Sequence, residues 1–323
     1  MNKWKKIGIA AALGTMTFSA AHIINKLIFS SAVSKNITEN NEEKIYEWKF
    51  GNISYTVRGK GSPLLLIHDL QSISSSYDWN KIVNILSRDH EVYTLDLLGC
   101  GHSDKPNITY TAYMYTQMLQ DFIVNVMHKK TDIVVHGNSA PMTIMAAYIN
   151  PYLFGNIILV NPQDIKKAMK SPDKKSEIRR FLLNSPIIGT LIYNICMRRE
   201  KIRADFITKY LYNRKNANDT LINAYHENAH LMGSSAKYLF TSTQCNYLTA
   251  SAAKAVSELN NNIYIITGKQ DRDACIAAEE YKTLNPSIEV VSIDKAKYYP
   301  QIEQPLGFVK NIRLFTSVPC TIK

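Results

Sequence analysis

Short, almost unbroken apolar runs recur along this chain, spaced widely enough for a helix between neighbours. They are LLLIHDL at 64–70, EVYTLDL at 91–97, DIVVH at 132–136, NIILVNP at 156–162 and NIYIITGKQD at 262–271. A strand built from such a run has no wet face, so both its faces must be covered. Residues 79–86 and 113–128 have helical periodicity, and strands alternating with helices imply a mostly parallel central sheet with helices on both faces. Ahead of these lie YEWKF and ISYTVRG, joined by a Gly51-Asn52 turn. Behind them come SIEVVSID at 287–294 and a closing helix near 306–315.

The junction after DIVVH carries the first chemical signal. Gly137-Asn138-Ser139-Ala140-Pro141 leaves a very short turn before the apolar helix opening at Met142. A serine on a tight strand-to-helix turn stands clear of the sheet, beside the first free N–H groups of the helix. Pro141 is compatible with a helix's first turn, where its missing N–H is no loss.

At 323 residues, 46% hydrophobic and 20% charged, the chain suits one large domain with an insertion. The formal net charge is +11, yet no zinc-finger, RNA-binding or helix-turn-helix signature occurs. The basicity therefore reads as surface or membrane charge, and no nucleic-acid partner is expected. Cys100, Cys196, Cys245, Cys275 and Cys320 are scattered without CxxC spacing and read as free thiols. The sequence contains no P-loop, dinucleotide fingerprint or metal-ligand cluster, so neither a cofactor nor a metal is expected.

The two flanks of the first strand differ from the rest. Lys3, Lys5 and Lys6 precede an uncharged stretch at 7–21, followed by further apolar residues. Residues 1–32 are expected to be an uncleaved membrane anchor, alternatively a signal segment with secretion after cleavage, or else a buried or peripheral helix. The lysines place the body of the protein outside the cytoplasm. Residues 33–44 read as a polar tether, 45–162 as the first part of the core, 163–258 as a helical insertion and 259–323 as the second part of the core. Between 166 and 203 eleven Lys/Arg face three Asp/Glu. That is either a solvated basic face or a surface laid against anionic lipid headgroups.

These motifs together resemble the α/β-hydrolase family. GNSAP is similar to the nucleophile elbow G-x-S-x-G, HDLQSISSSYDW to the H-G-x…S-x-x-W segment, and DLLGCGHSDKP to the D-x-x-G-x-G-x-S-x-x-P turn. The last looks close to the haloalkane-dehalogenase and epoxide-hydrolase branch, whose nucleophile is aspartate. The resemblance implies an α/β-hydrolase fold with a helical cap at 163–258, Ser139 as nucleophile and Asp271 as acid, with Asp273 and Asp164 as weaker substitutes. It also implies an oxyanion hole from the backbone of Leu70 and Ala140. Asp69 stands where the family has glycine.

The base departs from the family. Its G-H-x-P-x-x-E-x-P frame is matched by Lys297-Tyr298-Tyr299-Pro300-Gln301-Ile302-Glu303-Gln304-Pro305, which puts Tyr298 at the histidine position. A phenol of pKa about 10 is a poor base at neutral pH. Three readings stay open. A base could come from elsewhere, with His230 the first candidate and His226 the next. The chain could be a catalytically inactive binding or sensor protein. Tyr298 could serve as a proton donor. His68, His102 and His136 read as structural. The leading expectation is a membrane-tethered serine hydrolase of a small carboxylic ester or related acyl substrate.

Overall fold

The computed structural model describes residues 19–39 and 41–316. Eight strands form one sheet: β1 (Lys44–Trp48), β2 (Gly51–Arg58), β3 (Ser62–Ile67), β4 (His90–Leu95), β5 (Thr131–His136), β6 (Phe154–Val160), β7 (Ile263–Gly268) and β8 (Glu289–Ile293). Their spatial order is β1-β2-β4-β3-β5-β6-β7-β8. The pairs β1/β2 and β2/β4 are antiparallel, and every later pair is parallel.

The helices are α1 (19–32), α2 (Val83–Leu86), α3 (Ala112–Phe122), α4 (Ala140–Ile149), α5 (Ile165–Ala168), α6 (Lys174–Asn184) and α7 (Ile188–Cys196). They continue as α8 (Arg199–Asp205), α9 (Asp219–His230), α10 (Lys237–Gln244), α11 (Ala253–Glu258), α12 (Arg272–Leu284), α13 (Pro300–Glu303) and α14 (Pro305–Thr316).

Successive residues of one strand serve opposite cores. Leu65 and Ile67 of β3 join a cluster with α3, α4, α11 and α12, while Leu64 and Leu66 join Trp79, α2 and α14 on the other face. That is why the run is apolar at every position. Between β6 and β7 the described chain is helical and turn-like, without a strand. Two helical stretches of the insertion are divided. The 218–240 stretch breaks at Met232, which takes a left-handed conformation (φ 60°) ahead of Gly233. Residues 176–199 break at Ser185-Pro186, because proline cannot supply the N–H that continuation needs.

Residues 1–18 of the expected anchor lie outside the described residues. Its remainder, α1, is not a lipid-facing span along its whole surface. Asn25 and Phe29 are buried, with Asn194 Nδ2 donating to Asn25 Oδ1 at 2.8 Å and Phe29 packed against the His230 ring at 5.3 Å. Among the described residues no helix is long and apolar enough to cross a membrane. The expected tether is also tied down. The Glu227 carboxylate accepts the backbone N–H groups of Ile37 and Thr38, each at 2.9 Å, and the Thr38 hydroxyl at 2.8 Å.

Candidate functional site

The site forms where β3, β5 and β7 end and the loop after β8 closes over them. β5 runs through His136, and the chain then reverses direction at Gly137, whose φ is +58°. Such a backbone suits glycine, since a side chain there meets its own carbonyl. Asn138 and Ser139 already belong to a tight helical turn that leads into α4. Ser139 therefore sits two residues beyond the apex, with ordinary helical dihedrals (φ −78°, ψ −15°). It is fully buried, and its hydroxyl donates to the His68 carbonyl at 2.7 Å. The expected exposed serine at the apex is thus not where the chain places Ser139.

Of the two expected oxyanion donors, Ala140 is differently engaged. The Ala140 N–H donates to the Gly137 carbonyl within the turn, so it is not free for an oxyanion. Leu70 is buried in the core beside Asp69. The Asn138 N–H donates to Asp69 Oδ1 at 2.7 Å. The Asn138 side-chain amide donates to the same oxygen at 2.9 Å. Asp69 Oδ2 accepts the Tyr298 hydroxyl at 2.6 Å and the Gln71 side-chain amide. A fully buried carboxylate thus has four donors, which is the compensation that burying a charge requires.

Tyr298 is held from both ends. Its carbonyl accepts Asn161 Nδ2 at 2.8 Å and lies 2.9 Å from His136 Nε2, and its ring packs on His136 at 4.7 Å. The expected frame supports this placement: the Glu303 carboxylate accepts the N–H groups of Lys297 at 2.8 Å and Asn213 at 2.9 Å. Burial first, and the Asp69 charge next, raise the Tyr298 pKa well above the ordinary phenol value. A phenol that already donates to a carboxylate and resists ionisation cannot accept a serine proton near neutrality.

The space at the apex is filled. A Cβ built on Gly137 would lie 2.5 Å from Asp69 Oδ1 and closer still to the Tyr298 hydroxyl. No side chain fits there while that pair is in place.

Asp271 caps α12, accepting the Ala274 N–H at 3.2 Å, and burial raises its pKa. It lines a cavity of about 560 Å³ together with Asn138, Gln163, Tyr210, Lys297 and Tyr298. Asp164 and Asp273 line the same cavity. The Tyr298 hydroxyl, however, is committed to Asp69, so the expected acid and the residue at the histidine position are not coupled through it.

His230 is elsewhere. Its Nδ1 bonds the His226 carbonyl at 2.7 Å, and its ring packs with Phe29, Tyr193 and His226. Burial, and then His226, lower its pKa to about 4. His230 and His226 thus form part of the seat of α1. His68 proves structural: its Nε2 accepts the Leu97 N–H at 2.9 Å, so the proton is on Nδ1, which donates to the Asp69 carbonyl at 2.7 Å. Among the described residues no group of His, Cys, Asp and Glu has metal-site geometry.

Sequence reasoning missed Gly137 and Asn138. The usable signal was conformational, since only one residue of the turn, Gly137, tolerates a left-handed backbone without strain.

Known proteins resemble this chain over most of its length in shape and over a shorter stretch in sequence. The solved epoxide hydrolase CorEH superposes with a TM-score of 0.69 at 17% identity, covering 84% of this chain and 97% of that one. A membrane phospholipase A described as a bacterial virulence factor superposes with a TM-score of 0.66 at 16% identity, covering 97% and 98%. The 2-hydroxy-6-oxo-6-(2'-aminophenyl)hexa-2,4-dienoic acid hydrolase of Metapseudomonas resinovorans is 33% identical over 112 residues, or 33% of this chain and 38% of that protein. The aligned stretch spans little more than a third of the curated relatives it matches. A model of the alpha/beta hydrolase family matches residues 64–311, most of the strands described above. The chain belongs to the alpha/beta hydrolase family.

Proposed function

We propose that this protein is a hydrolase-fold binding protein whose reaction centre is occupied by its own side chains, and that Ser139 is not a nucleophile. In this fold the nucleophile stands at the apex of the strand-to-helix turn, and the next residue's N–H helps to form the oxyanion hole. Here the apex is Gly137, and the following N–H, from Asn138, is taken by Asp69 at 2.7 Å. That single contact carries the reading. The chain's own Asp69 side chain sits where a transition-state oxygen would need the donor, and no attacking group stands beside it.

The cavity above the pair has the volume of a small-molecule site. Lys167, Lys209, Arg272 and Lys297 alternate there with Asp164, Asp271 and Asp273, which favours a small polar ligand bearing both charges. The same reading has the protein tethered to a membrane through the uncharged stretch at 7–21, with the hydrolase-like body outside the cytoplasm. The lysines at 3, 5 and 6 support that orientation.

The test is turnover of a short-chain p-nitrophenyl ester. Wild type and Ser139→Ala are expected to be indistinguishable from each other and from buffer. Measurable wild-type turnover that disappears in Ser139→Ala overturns the proposal and restores the serine-hydrolase reading.

A further inference from the structure

Three helices, α1 and α6 each joined to α7, carry large apolar side chains turned to solvent. α6 exposes Ile178 and Phe181, at 72% and 83%, α7 exposes Ile188 and Ile195, and α1 exposes Ile23 and Leu27. The three are joined by buried contacts. Asn25 of α1 bonds Asn194 of α7, Phe29 and Tyr193 share one cluster, and α6 packs directly on α7. Apolar groups of this size left outside a folded core mark a surface that is covered by something else.

The charges on these helices indicate what covers it. Lys26 of α1 and Lys174, Lys175 and Arg179 of α6 are exposed. The acids in the same stretch are few: Asp173 caps α6 through Ser176, and Glu177 is exposed on α6, while α1 and α7 carry none. Basic and apolar side chains mixed on one helical layer match the boundary between anionic headgroups and acyl chains. The inference rests here on the tether proposed above: in sequence the uncharged stretch at 7–18 immediately precedes α1, so a tether through it would bring this layer to such a boundary.

We infer that α1, α6 and α7 form a membrane-docking surface for anionic phospholipid, in which Phe181 and Ile178 enter the interface and Lys174 and Lys175 meet headgroups. The surface is separate from the Asp69–Tyr298 site and does not depend on its function. It makes the helical insertion, and not only the N-terminal stretch, a contact with the bilayer.

The experiment places the full chain in vesicles of phosphatidylcholine with or without phosphatidylglycerol, including a photoactivatable phosphatidylglycerol. Lipid adducts are then mapped by mass spectrometry. Adducts on residues 174–198 are expected in the anionic vesicles. They should fall about fivefold for each positive charge removed in Lys174→Gln and Lys175→Gln. Phe181→Asp should nearly remove them while leaving the near-ultraviolet circular dichroism unchanged. Adducts confined to residues before α1, or adducts insensitive to both kinds of variant, overturn the inference. Crosslinks between two copies of the chain through Phe181 in place of lipid adducts also overturn it, in favour of self-association.

Discussion

Asp69 is a carboxylate without solvent contact, yet it lacks no hydrogen bond, because a backbone N–H, two side-chain amides and a phenol all donate to it. Its departure from the family's glycine, and that of Tyr298 from histidine, are both visible in the sequence. Their mutual contact is not, because the two are 229 residues apart and only the closed sheet brings them together. The two substitutions form one device. Removing the apex clash should therefore require changing both. Gly137→Ser alone is expected to destabilise the protein by about 1–2 kcal/mol from the left-handed backbone and further from overlap with Asp69, measured by chemical denaturation. In an Asp69→Gly, Tyr298→His background the overlap part should vanish. The combined variant should then hydrolyse p-nitrophenyl acetate roughly 10²-fold faster than its Tyr298-retaining counterpart, the low end of what a general base supplies. Ser139→Ala should behave as a structural change. It orphans the buried His68 carbonyl and is expected to lower stability by about 1–3 kcal/mol, with no kinetic effect.

Among the elements, the strands were the most legible. β3 through β7 announce themselves as apolar runs because both faces of the sheet are buried, and their order follows from the alternation with helices. The elbow was legible as a strand–turn–helix, but its register was not. A pattern search places the serine at the apex, whereas backbone geometry places Gly137 there, since β5 continues through His136 to pack on Tyr298 and Tyr299. The role of α1 was less legible for a related reason. Apolar residues at 19–32 suit lipid or protein equally, and only the folded insertion supplies the partners that bury Asn25 and Phe29.

Two expectations follow at this scale. Glu227→Ala should free the 37–38 segment, and limited trypsin digestion should then cut faster at Lys35, by about an order of magnitude if three hydrogen bonds of about 1 kcal/mol are only partly replaced by water. His230 sets a pH dependence for the seat of α1. Its folded pKa of about 4 lies below the unfolded value near 6.5, so the unfolded chain binds more protons in between. Its stabilising contribution is complete above pH about 6.5 and is lost as pH falls toward 4. The thermal midpoint should drop between pH 7 and 5, and the drop should be smaller in His230→Phe.

For the whole molecule, membership of the alpha/beta hydrolase family defines the scaffold, while the site must be read residue by residue because one fold serves many functions. On the reading proposed above, a conventional sheet and a retained loop frame position a glycine, a phenol and an internal carboxylate where catalysis would need a nucleophile, a base and an empty anion hole. The proposed tether adds a second expectation: the full chain should remain in the pellet on alkaline carbonate extraction, and release of intact protein would contradict it. The most direct test of the closed reaction centre is exposure of the folded protein to a fluorophosphonate probe, followed by intact-mass measurement. The expected result is no adduct on wild type and an identical spectrum for Ser139→Ala. A stoichiometric adduct on wild type that maps to Ser139 and is lost in Ser139→Ala would contradict it.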